Sequence, residues 1–333
     1  MRVFALLNGG MDTASARERV LRYIPALKEN GIHLEVHVAG NLDSGKSGKL
    51  KYLFNFGRNI FQSDAVLIHR VHLSPRERKI LRFFGKPTYF DIDDAIWYSI
   101  VPDEEGNPIF SPRAENLLET IRLCRFVRTG NQYLSDFVQT LGIPTRIAPT
   151  CVPIPDLPPR KKRAGTQIGW TGNSSSFQYF SICKEAIQQL LQEDASTTFT
   201  VIAEKPPDLP GIPFEFREWS LEKEREYLDE FDIGIMPLAD DKWAGGKCGY
   251  KLLLYMSLGI PAVASPVGVN KQILQNPEAG YLPQNSKEWY QALKTLIQDP
   301  GLRDSVGQEG RKVAEKDYST KVGLEDLLRD LQR

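Results

Sequence analysis

Short apolar runs alternate along the chain with segments in which apolar residues recur every three or four positions. Apolar runs of this kind are typical of buried parallel strands, and the periodic segments are typical of amphipathic helices. In the first half the pattern predicts strands over 3–7, 34–38, 65–68, 88–90 and 126–129, with helices over 14–29, 49–61, 74–84, 114–124 and 131–141. Repeated strand and helix units predict a doubly wound parallel sheet.

The pattern starts again after a segment at 149–164 that is rich in proline, then basic, and has no periodicity. That composition is typical of an interdomain linker. Beyond it we predict strands over 167–170, 199–202, 214–216, 233–236 and 262–264, with helices over 177–193 and 220–230, from about 247, and over 287–298, 300–316 and 321–331. The sequence therefore predicts an N-terminal domain over 1–150, a linker over 151–164, a C-terminal domain over 165–320 and a C-terminal helix over 321–333.

Composition narrows the classes of function. A chain of 333 residues exceeds what one core usually organises, which agrees with two domains. Its 42 basic and 42 acidic residues give a net charge of zero, so nucleic acid is not an expected partner. The basic run at 160–163 is either a solvated linker charge or a contact for an acidic lipid or polymer.

Cysteine usage and hydropathy indicate a compartment. The four cysteines are scattered without a Cys-x-x-Cys pair, and the first residues lack the features of a secretory leader. We therefore expect reduced thiols in a cytoplasmic protein. No apolar run approaches the roughly 20 residues that cross a bilayer, although peripheral attachment to a membrane stays compatible with the sequence.

Two glycine-rich loops of the second half each follow a predicted strand and precede a helix. The first contains Gly172, Asn173 and Ser174, and the second contains several glycines with Lys247 and Lys251. Glycine lets the backbone approach a ligand closely, and a helix start favours an anion because its N–H groups are unpaired. The loops predict a phosphate or diphosphate site, with capped turns and exposed helix-start lysines as the alternative.

These loops resemble those of the retaining GT-B glycosyltransferases known as glycosyl transferase group 1, or glycosyltransferase family 4. The segment YMSLGIPAVAS at 255–265 resembles the family's Tyr-Met-x-x-Gly-x-Pro-Val-Val-Ala-Ser, and KCGYKLL at 247–253 and IGWTG at 168–172 resemble two motifs of a subgroup. The resemblance covers nearly the whole chain. It implies an α/β fold of GT-B type, with two Rossmann-like domains facing a central cleft, and a nucleotide diphosphate sugar, linked to UDP or GDP, as the donor.

The resemblance also implies a set of donor-binding residues. Many members carry Glu-x7-Glu here, but the two positions hold Gly246 and Leu254, and the usual Arg and Lys pair for the diphosphate is missing. We expect backbone groups and two lysines to replace them. Trp219 lies where family members contact the nucleotide base. A position in the hydrophobic core is the alternative interpretation of Trp219. The expected donor-binding residues are Gly172, Asn173, Ser174, Glu218, Gly246, Lys247, Gly249, Tyr250 and Lys251.

Three carboxylates in FDIDDAIW at 90–97 directly follow an apolar strand. Carboxylates this close repel each other unless cations, donors or a function compensate. They are either an Asp-x-Asp motif for Mn²⁺ or Mg²⁺, as in GT-A glycosyltransferases, or an acceptor-side group like the histidine of GT-B members. We favour the second, with Asp93 as the catalytic residue, and therefore expect no metal and no cofactor. Asp91 or Asp94 capping the next turn is the structural alternative.

Other groups are expected beside the acceptor. Asn8-Gly9-Gly10 and Ser15-x-Arg17-x-Arg19 resemble the family's first glycine loop and the motif after it. Arg70 ends an apolar strand, where we expect it to share a face with His72. Solvated helix or strand-end positions are the alternatives for these arginines. The expected acceptor-side residues are Gly9, Gly10, Arg17, Arg70, Asp91 and Asp94.

The sequence thus predicts a retaining glycosyltransferase that moves a sugar from a nucleotide diphosphate sugar to a hydroxyl of a glycan, lipid or small molecule, as in polysaccharide biosynthesis. Because the Glu pair is missing, a non-catalytic sugar-nucleotide-binding protein stays an alternative. A Rossmann oxidoreductase is a poorer match, since Gly9 and Gly10 lack the third spaced glycine of the dinucleotide fingerprint.

Overall fold

The computed structural model describes residues 1–39, 46–99, 103, 109–157 and 165–332. The chain forms two compact units. The first comprises Met1–Thr150, Gly246–Cys248 and Lys321–Arg333, and the second comprises Cys151–Gly245 and Gly249–Thr320. The basic run at 160–163 in the expected linker lies outside the described residues.

The first unit is built on a sheet of six parallel strands. Its order β2-β1-β3-β4-β5-β6 reverses direction at β1, as in doubly wound folds. The strands are β1 Arg2–Leu7, β2 His33–Val38, β3 Ala65–His69, β4 Thr88–Ile92, β5 Phe126–Thr129 and β6 Thr145–Ile147. The helices are α1 Ala14–Arg19, α2 Ile24–Glu29, α3 Lys46–Phe61, α4 Pro75–Phe84, α5 Ala114–Ile121 and α6 Gln132–Gln139.

The second unit repeats the architecture with its own sheet, in the order β12-β11-β10-β7-β8-β9, and all its strand pairs are parallel. The strands are β7 Thr166–Thr171, β8 Thr197–Ala203, β9 Glu215–Glu218, β10 Ile233–Met236, β11 Ala262–Ala264 and β12 Gly280–Tyr281. The helices are α7 Lys184–Glu193, α8 Glu224–Leu228, α9 Lys242–Gly245, α10 Tyr250–Ser257, α11 Asn270–Ile273, α12 Ser286–Gln298 and α13 Pro300–Asp317. The last helix, α14 Thr320–Leu331, belongs to the first unit from Lys321 onwards. The two parallel sheets predicted from the sequence are therefore confirmed.

Central strands of both sheets are buried on both faces, which explains their continuous apolar runs. All five residues of β3 and all five of β4 are buried, polar His69 and Asp91 among them. His69 pairs in register with Leu7 of β1 and with Asp91 of β4. The carboxyl ends of these strands therefore meet at one edge of the sheet.

Several predicted elements differ from the observed ones. The helix expected over 14–29 is broken, because Val20 leaves the helical region and α2 restarts with Pro25 in its first turn. The helix expected over 220–230 is limited to α8. The helix expected from about 247 begins at Tyr250, after Gly249 at φ 70°. Each boundary depends on backbone angles that hydrophobic periodicity does not report.

The end of the chain packs into the first unit. In α14, Asp330 Oδ2 accepts a hydrogen bond from Arg128 Nε at 2.7 Å, and Asp330 also pairs with Arg146. Leu327 and Leu331 join the core formed with β1. A buried ion pair and an apolar face therefore hold the last helix there. Within the described ranges, no helix is both long and apolar enough to cross a membrane.

Candidate functional site

The carboxyl edge of the first sheet collects most of the ionisable groups singled out from the sequence. β3 ends at His69, which is followed by Arg70, and β4 leads into the loop that carries Asp93 and Asp94. Trp97, which is fully buried, anchors this loop by stacking on Phe137 with ring centres 3.8 Å apart. The loop carboxylates are therefore attached at both ends to rigid structure.

A chain of hydrogen bonds connects two of the carboxylates. Asp91 Oδ1 lies 3.0 Å from His69 Nδ1, and His69 Nε2 lies 2.9 Å from Ser15 Oγ. The Ser15 hydroxyl donates to Asp93 Oδ2 at 2.5 Å. His69 and Asp91 are fully buried, whereas the Asp93 side chain keeps 11% exposure. A buried relay thus ends at a carboxylate that solvent reaches.

Cations around Asp93 favour its ionised form. Arg70 donates to Asp93 Oδ1 at 3.2 Å and lies 3.8 Å from Asp94 Oδ2. Burial acts to raise the pKa of Asp93, but the charges of Arg70, His69 and Arg19 and the Ser15 hydrogen bond lower it below the ordinary value of a carboxyl. Asp93 is therefore an anion at neutral pH.

Arg70 reaches this position through an unusual backbone conformation. Its φ is 57°, the left-handed region that non-glycine residues rarely adopt. The strand alternation expected to pair Arg70 with His72 therefore stops at His69. The backbone instead turns, and the Arg70 N–H donates to Asp91 O at 3.2 Å. Strain of this kind is often found at functional sites, where surrounding structure maintains it.

The first unit includes a distant segment, Gly246–Cys248, next to the carboxylate loop. Lys247 Nζ lies 3.1 Å from Asp94 Oδ2, and Asn131 donates to Lys247 O at 3.0 Å. Cys248 Sγ donates to Asp93 O at 3.0 Å. A Cβ on Gly246 would come within 2.6 Å of Ala95 Cβ, so the approach requires glycine. Lys247 and Gly246, expected at the donor, are thus placed beside the loop of Asp93 and Asp94, which were expected on the acceptor side.

Asp91 is a structural carboxylate, which corrects the prediction that it faces the acceptor. Its Oδ1 accepts from Arg19 Nε at 2.5 Å and its Oδ2 from Arg128 at 2.8 Å. Burial acts to raise the pKa of Asp91, but Arg19 and Arg128 hold it far below its usual range. With no exposed surface, Asp91 acts on the site through its neighbours, His69 by the side chain and Arg70 by the backbone.

Arg17 is also buried, contrary to both interpretations of the sequence. Its guanidinium bonds Glu18 at 2.8 Å and the Met11 carbonyl at 2.7 Å. It therefore positions the loop after β1 and is not exposed to an acceptor. In that loop Gly9 has φ 108°, and a Cβ there would lie 2.2 Å from Thr13 Oγ1, whereas Gly10 faces open space. The loop thus offers backbone at Gly10.

The second unit places its first glycine loop after β7. Gly172 has φ 156°, and a Cβ there would lie 2.0 Å from Lys251 Cε, so only glycine lets the Lys251 side chain pass. The Lys251 ammonium lies 5.0 Å from the Trp170 ring centre, within reach of a cation–π contact. Gly172 and Lys251, predicted separately from two motifs, are therefore neighbours.

Ser174 differs from its expected role. Its N–H donates to the Glu204 carboxylate at 2.9 and 3.2 Å, so a phosphate does not find this donor free. Burial acts to raise the pKa of Glu204 and the Ser174 bonds lower it, with a net fall. Asn173 is exposed. Glu204 was missed in the sequence because nothing in β8 separates it from an ordinary strand-end residue.

The second glycine loop enters α10 at Gly249, where a Cβ would lie 2.4 Å from Ile273 Cδ1. Asn270 is fully buried, and its Oδ1 has no hydrogen-bond partner among the described residues. This acceptor lies 3.8 Å from the position of that Cβ. Tyr250 is half-buried at the helix start. Leu254, at a position where many members carry glutamate, is buried in the core.

Glu218 ends β9 and is exposed, as a ligand-binding strand end requires. Trp219 is half-buried, packs against the core and donates from Nε1 to Glu224 at 2.7 Å. Core packing thus accounts for Trp219. In the described parts of the chain, no group of three His, Cys, Asp or Glu side chains is arranged to hold a metal ion.

The second unit is similar in sequence to a known family of proteins. Residues 165–299 match the family model described as Glycosyl transferases group 1. The predicted resemblance is thereby confirmed in the second unit, which carries a glycosyl transferase domain. No curated protein matches the sequence.

Solved structures with the same fold are remote in sequence. The Anabaena HepE protein, in complex with UDP, has a TM-score of 0.69 at 14% identity over 100% of both chains. A glycosyltransferase from Rickettsia africae gives 0.69 at 12% identity over 98% of this chain and 97% of that one. A Listeria monocytogenes protein described as a putative UDP-N-acetylglucosamine 2-epimerase gives 0.61 at 10% identity over 99% and 95%. The GT-B fold predicted from the sequence is confirmed.

Proposed function

We propose that the protein transfers a sugar from a UDP-linked donor to a hydroxyl acceptor with retention of anomeric configuration. The observation that carries the proposal is the glycosyl transferase domain at 165–299, which contains both glycine loops. HepE, which shares the fold, has been solved with UDP and with UDP-glucose. UDP is therefore the first nucleotide to test, ahead of GDP.

The donor diphosphate is proposed to bind at Gly172 and Lys251. The Lys251 ammonium and the Gly172 backbone are adjacent, and α10 begins next to them with Gly249 in the left-handed region. An ammonium group and the N–H groups of a helix start both favour a diphosphate. Asn270 Oδ1 is an acceptor available to a hydroxyl of the nucleotide or the sugar.

Asp93 is proposed to act on the reacting acceptor hydroxyl. As the acceptor oxygen bonds to the anomeric carbon, the bond from that carbon to the diphosphate breaks and UDP leaves with its electron pair. The hydroxyl proton moves to the Asp93 carboxylate. Because the pKa of Asp93 is lowered, it is a weak base, and its larger effect is to stabilise the positive charge that develops on the sugar.

Retention without an enzyme nucleophile is consistent with the donor loop. The two positions where many members carry glutamate hold Gly246 and Leu254, and Leu254 is buried. Neither residue can form a glycosyl intermediate. We therefore propose that the acceptor attacks on the face from which the diphosphate leaves.

We also propose that the protein is located in the cytoplasm, where its free buried cysteines stay reduced.

The experiment is binding followed by turnover. Isothermal titration and thermal unfolding with UDP, GDP and ADP should show preferential UDP binding, with stabilisation of about 2.7 kcal/mol at 100 times the dissociation constant. Incubation with UDP-glucose should release UDP, and proton NMR of the sugar product should show the donor's anomeric configuration. An inverted product contradicts retention.

The missing glutamates also favour a second candidate, a protein that binds a sugar nucleotide without transferring it. The turnover experiment distinguishes it, because UDP would bind in the titrations while no acceptor accelerated UDP release from UDP-glucose. Binding of neither UDP nor GDP would contradict both candidates.

A further inference from the structure

The first unit carries an exposed apolar surface on α3 and α4. The residues of this surface are separate in sequence from the candidate site residues described above. Leu50 and Phe54 of α3 are 72% and 70% exposed, and Phe61 at its end is 66% exposed. Phe83 of α4 is 83% exposed. Large side chains this exposed cost solvation free energy, and several together indicate an interaction surface.

The four side chains belong to one contiguous ridge. Leu50, Phe54 and Phe61 are spaced so that they share one face of α3. Gly57 lies on the same face, and a Cβ there would contact Phe84 at 3.6 Å. Ring centres of Phe61 and Phe84 are 6.0 Å apart, and those of Phe84 and Phe83 are 5.2 Å apart. We call Leu50, Phe54, Phe61, Phe83 and Phe84 the aromatic ridge.

Charge around the aromatic ridge has a single sign. Residues 46–61 contain four basic residues and no acidic one, and residues 75–86 contain five basic residues and one acidic residue. That acidic residue, Glu77, is buried and accepts hydrogen bonds from Tyr52 and from the Ser74 backbone. In a chain of zero net charge, this is a local concentration of positive charge. The exposed cations there are Lys49, Lys51, Arg58, Arg76, Lys79 and Arg82.

We propose that the aromatic ridge and its cations dock the protein onto an anionic lipid bilayer. Aromatic side chains flanked by lysine and arginine are suited to the bilayer interface, where rings enter the acyl boundary and ammonium and guanidinium groups contact lipid phosphates. A second copy is a poor occupant, because an isologous contact would bring two positive surfaces together. The orientation of α3 and α4 at the bilayer follows from the shared face of their exposed rings.

The test is co-sedimentation of the full chain with vesicles. At about 0.1 M salt we expect binding to phosphatidylcholine vesicles with 30% phosphatidylglycerol and at least tenfold weaker binding to pure phosphatidylcholine. Because about a factor of five is lost per cation near an anionic surface, Lys49→Gln with Arg82→Gln should weaken binding by tenfold or more. Salt at about 0.5 M should weaken it further. Phe54→Ser with Phe83→Ser should have a comparable effect at either salt concentration.

Matched controls separate the surface from general charge and apolarity. Lys205→Gln with Lys287→Gln removes two exposed cations from the second unit, and Ile147→Ser removes an exposed apolar residue from β6. Both should bind anionic vesicles like the parent. Equal binding of all variants, equal binding to neutral vesicles, or no binding at all would overturn the proposal. A dimer in light scattering without lipid that Phe83→Ser abolishes, together with no vesicle binding, would assign the ridge to a second copy instead.

Discussion

The two sheets present opposite kinds of chemistry at their carboxyl edges. In the first unit Asp93, Asp94, Arg70 and Lys247 form ion pairs with one another, and the relay through Ser15 begins at a buried aspartate. In the second unit the corresponding edge carries glycine backbone at Gly172 beside Lys251, and its carboxylates Glu204 and Glu218 stand apart at the ends of β8 and β9. One edge is electrostatically organised before any ligand arrives, while the other offers close backbone approach and a cation to an anionic ligand.

This difference assigns separate roles. Prearranged charges accelerate a reaction because they need no reorganisation when charge develops. Glycine backbone beside an ammonium instead contributes binding that is similar before and during the reaction. Substitutions on the first edge should therefore lower turnover, and substitutions on the second should lower affinity.

The largest effect is expected from Asp93→Asn. The amide keeps the shape but loses the charge and the proton acceptor, so turnover should fall by about 10²–10⁴. Affinity for UDP and the unfolding midpoint should stay near the parent's. Steady-state kinetics with UDP titration measures both. If the variant transfers sugar at the parent's rate, Asp93 has no role in the reaction.

Asp91→Asn should act on stability. Removing this charge takes the carboxylate partner from buried Arg19 and leaves Arg128 paired with Asp330 alone, and breaking a buried pair typically costs about 3–5 kcal/mol in the free energy of unfolding. Urea unfolding at pH 7 measures it. Asp326→Asn is the control, since Asp326 pairs with exposed Arg329, and should change stability by less than about 1 kcal/mol.

The same variant tests the pH dependence. Because the folded-state pKa of Asp91 is lowered, its contribution to stability is present above the unfolded value of about 4 and is lost as the pH falls below it. The parent should lose stability between about pH 5 and pH 3, and Asp91→Asn should lose less. If the free energy of unfolding falls equally with pH in the two proteins, Asp91 is not the group responsible.

Lys251→Ala and Lys247→Ala sharpen the contrast between the edges. Lys251→Ala should weaken UDP binding by about 1.5–3 kcal/mol, because it removes a charged donor to the diphosphate. Lys247→Ala, which loses the Asp94 contact, should change UDP affinity less and turnover more. Titration calorimetry decides, with exposed Lys271→Ala as the control. A larger affinity loss from Lys247→Ala would return it to the donor site.

The smallest expected effect is that of metal removal. Three of the four carboxylate oxygens of Asp93 and Asp94 contact Arg70, Ser15 and Lys247, whereas Asp94 Oδ1 has no hydrogen-bond partner among the described residues. Sugar transfer should therefore continue in EDTA at the rate measured without EDTA. Loss of transfer that Mn²⁺ restores would revive the Asp-x-Asp metal interpretation.

Much of this arrangement could be predicted from local pattern. Apolar runs predicted both parallel sheets, because strands buried on both faces are apolar throughout. Glycines at 172, 246 and 249 were singled out because glycine lets the backbone approach a ligand, and in the structure each lies close to another part of the protein. The aromatic ridge was not predicted, since exposure of an apolar residue depends on what packs beside it.

Other contacts were not predicted because the partners are far apart along the chain. Lys247 pairs with Asp94, 153 positions away, and Arg128 pairs with Asp330, 202 positions away. Arg17 had the appearance of a solvated helix position and is buried. No local pattern reports which distant charge meets another.

By itself the sequence determined the layered α/β fold, the glycine loops and the carboxylates after β4, because these follow from periodicity and local backbone freedom. Only the tertiary structure decided that Asp91 is structural and Asp93 exposed, that His69 and Ser15 connect them, and that Lys247 joins Asp94. The physical reason is that burial and charge pairing depend on distances in space. Asp91 and Asp93, two aspartates two positions apart at the end of one strand, therefore have different roles.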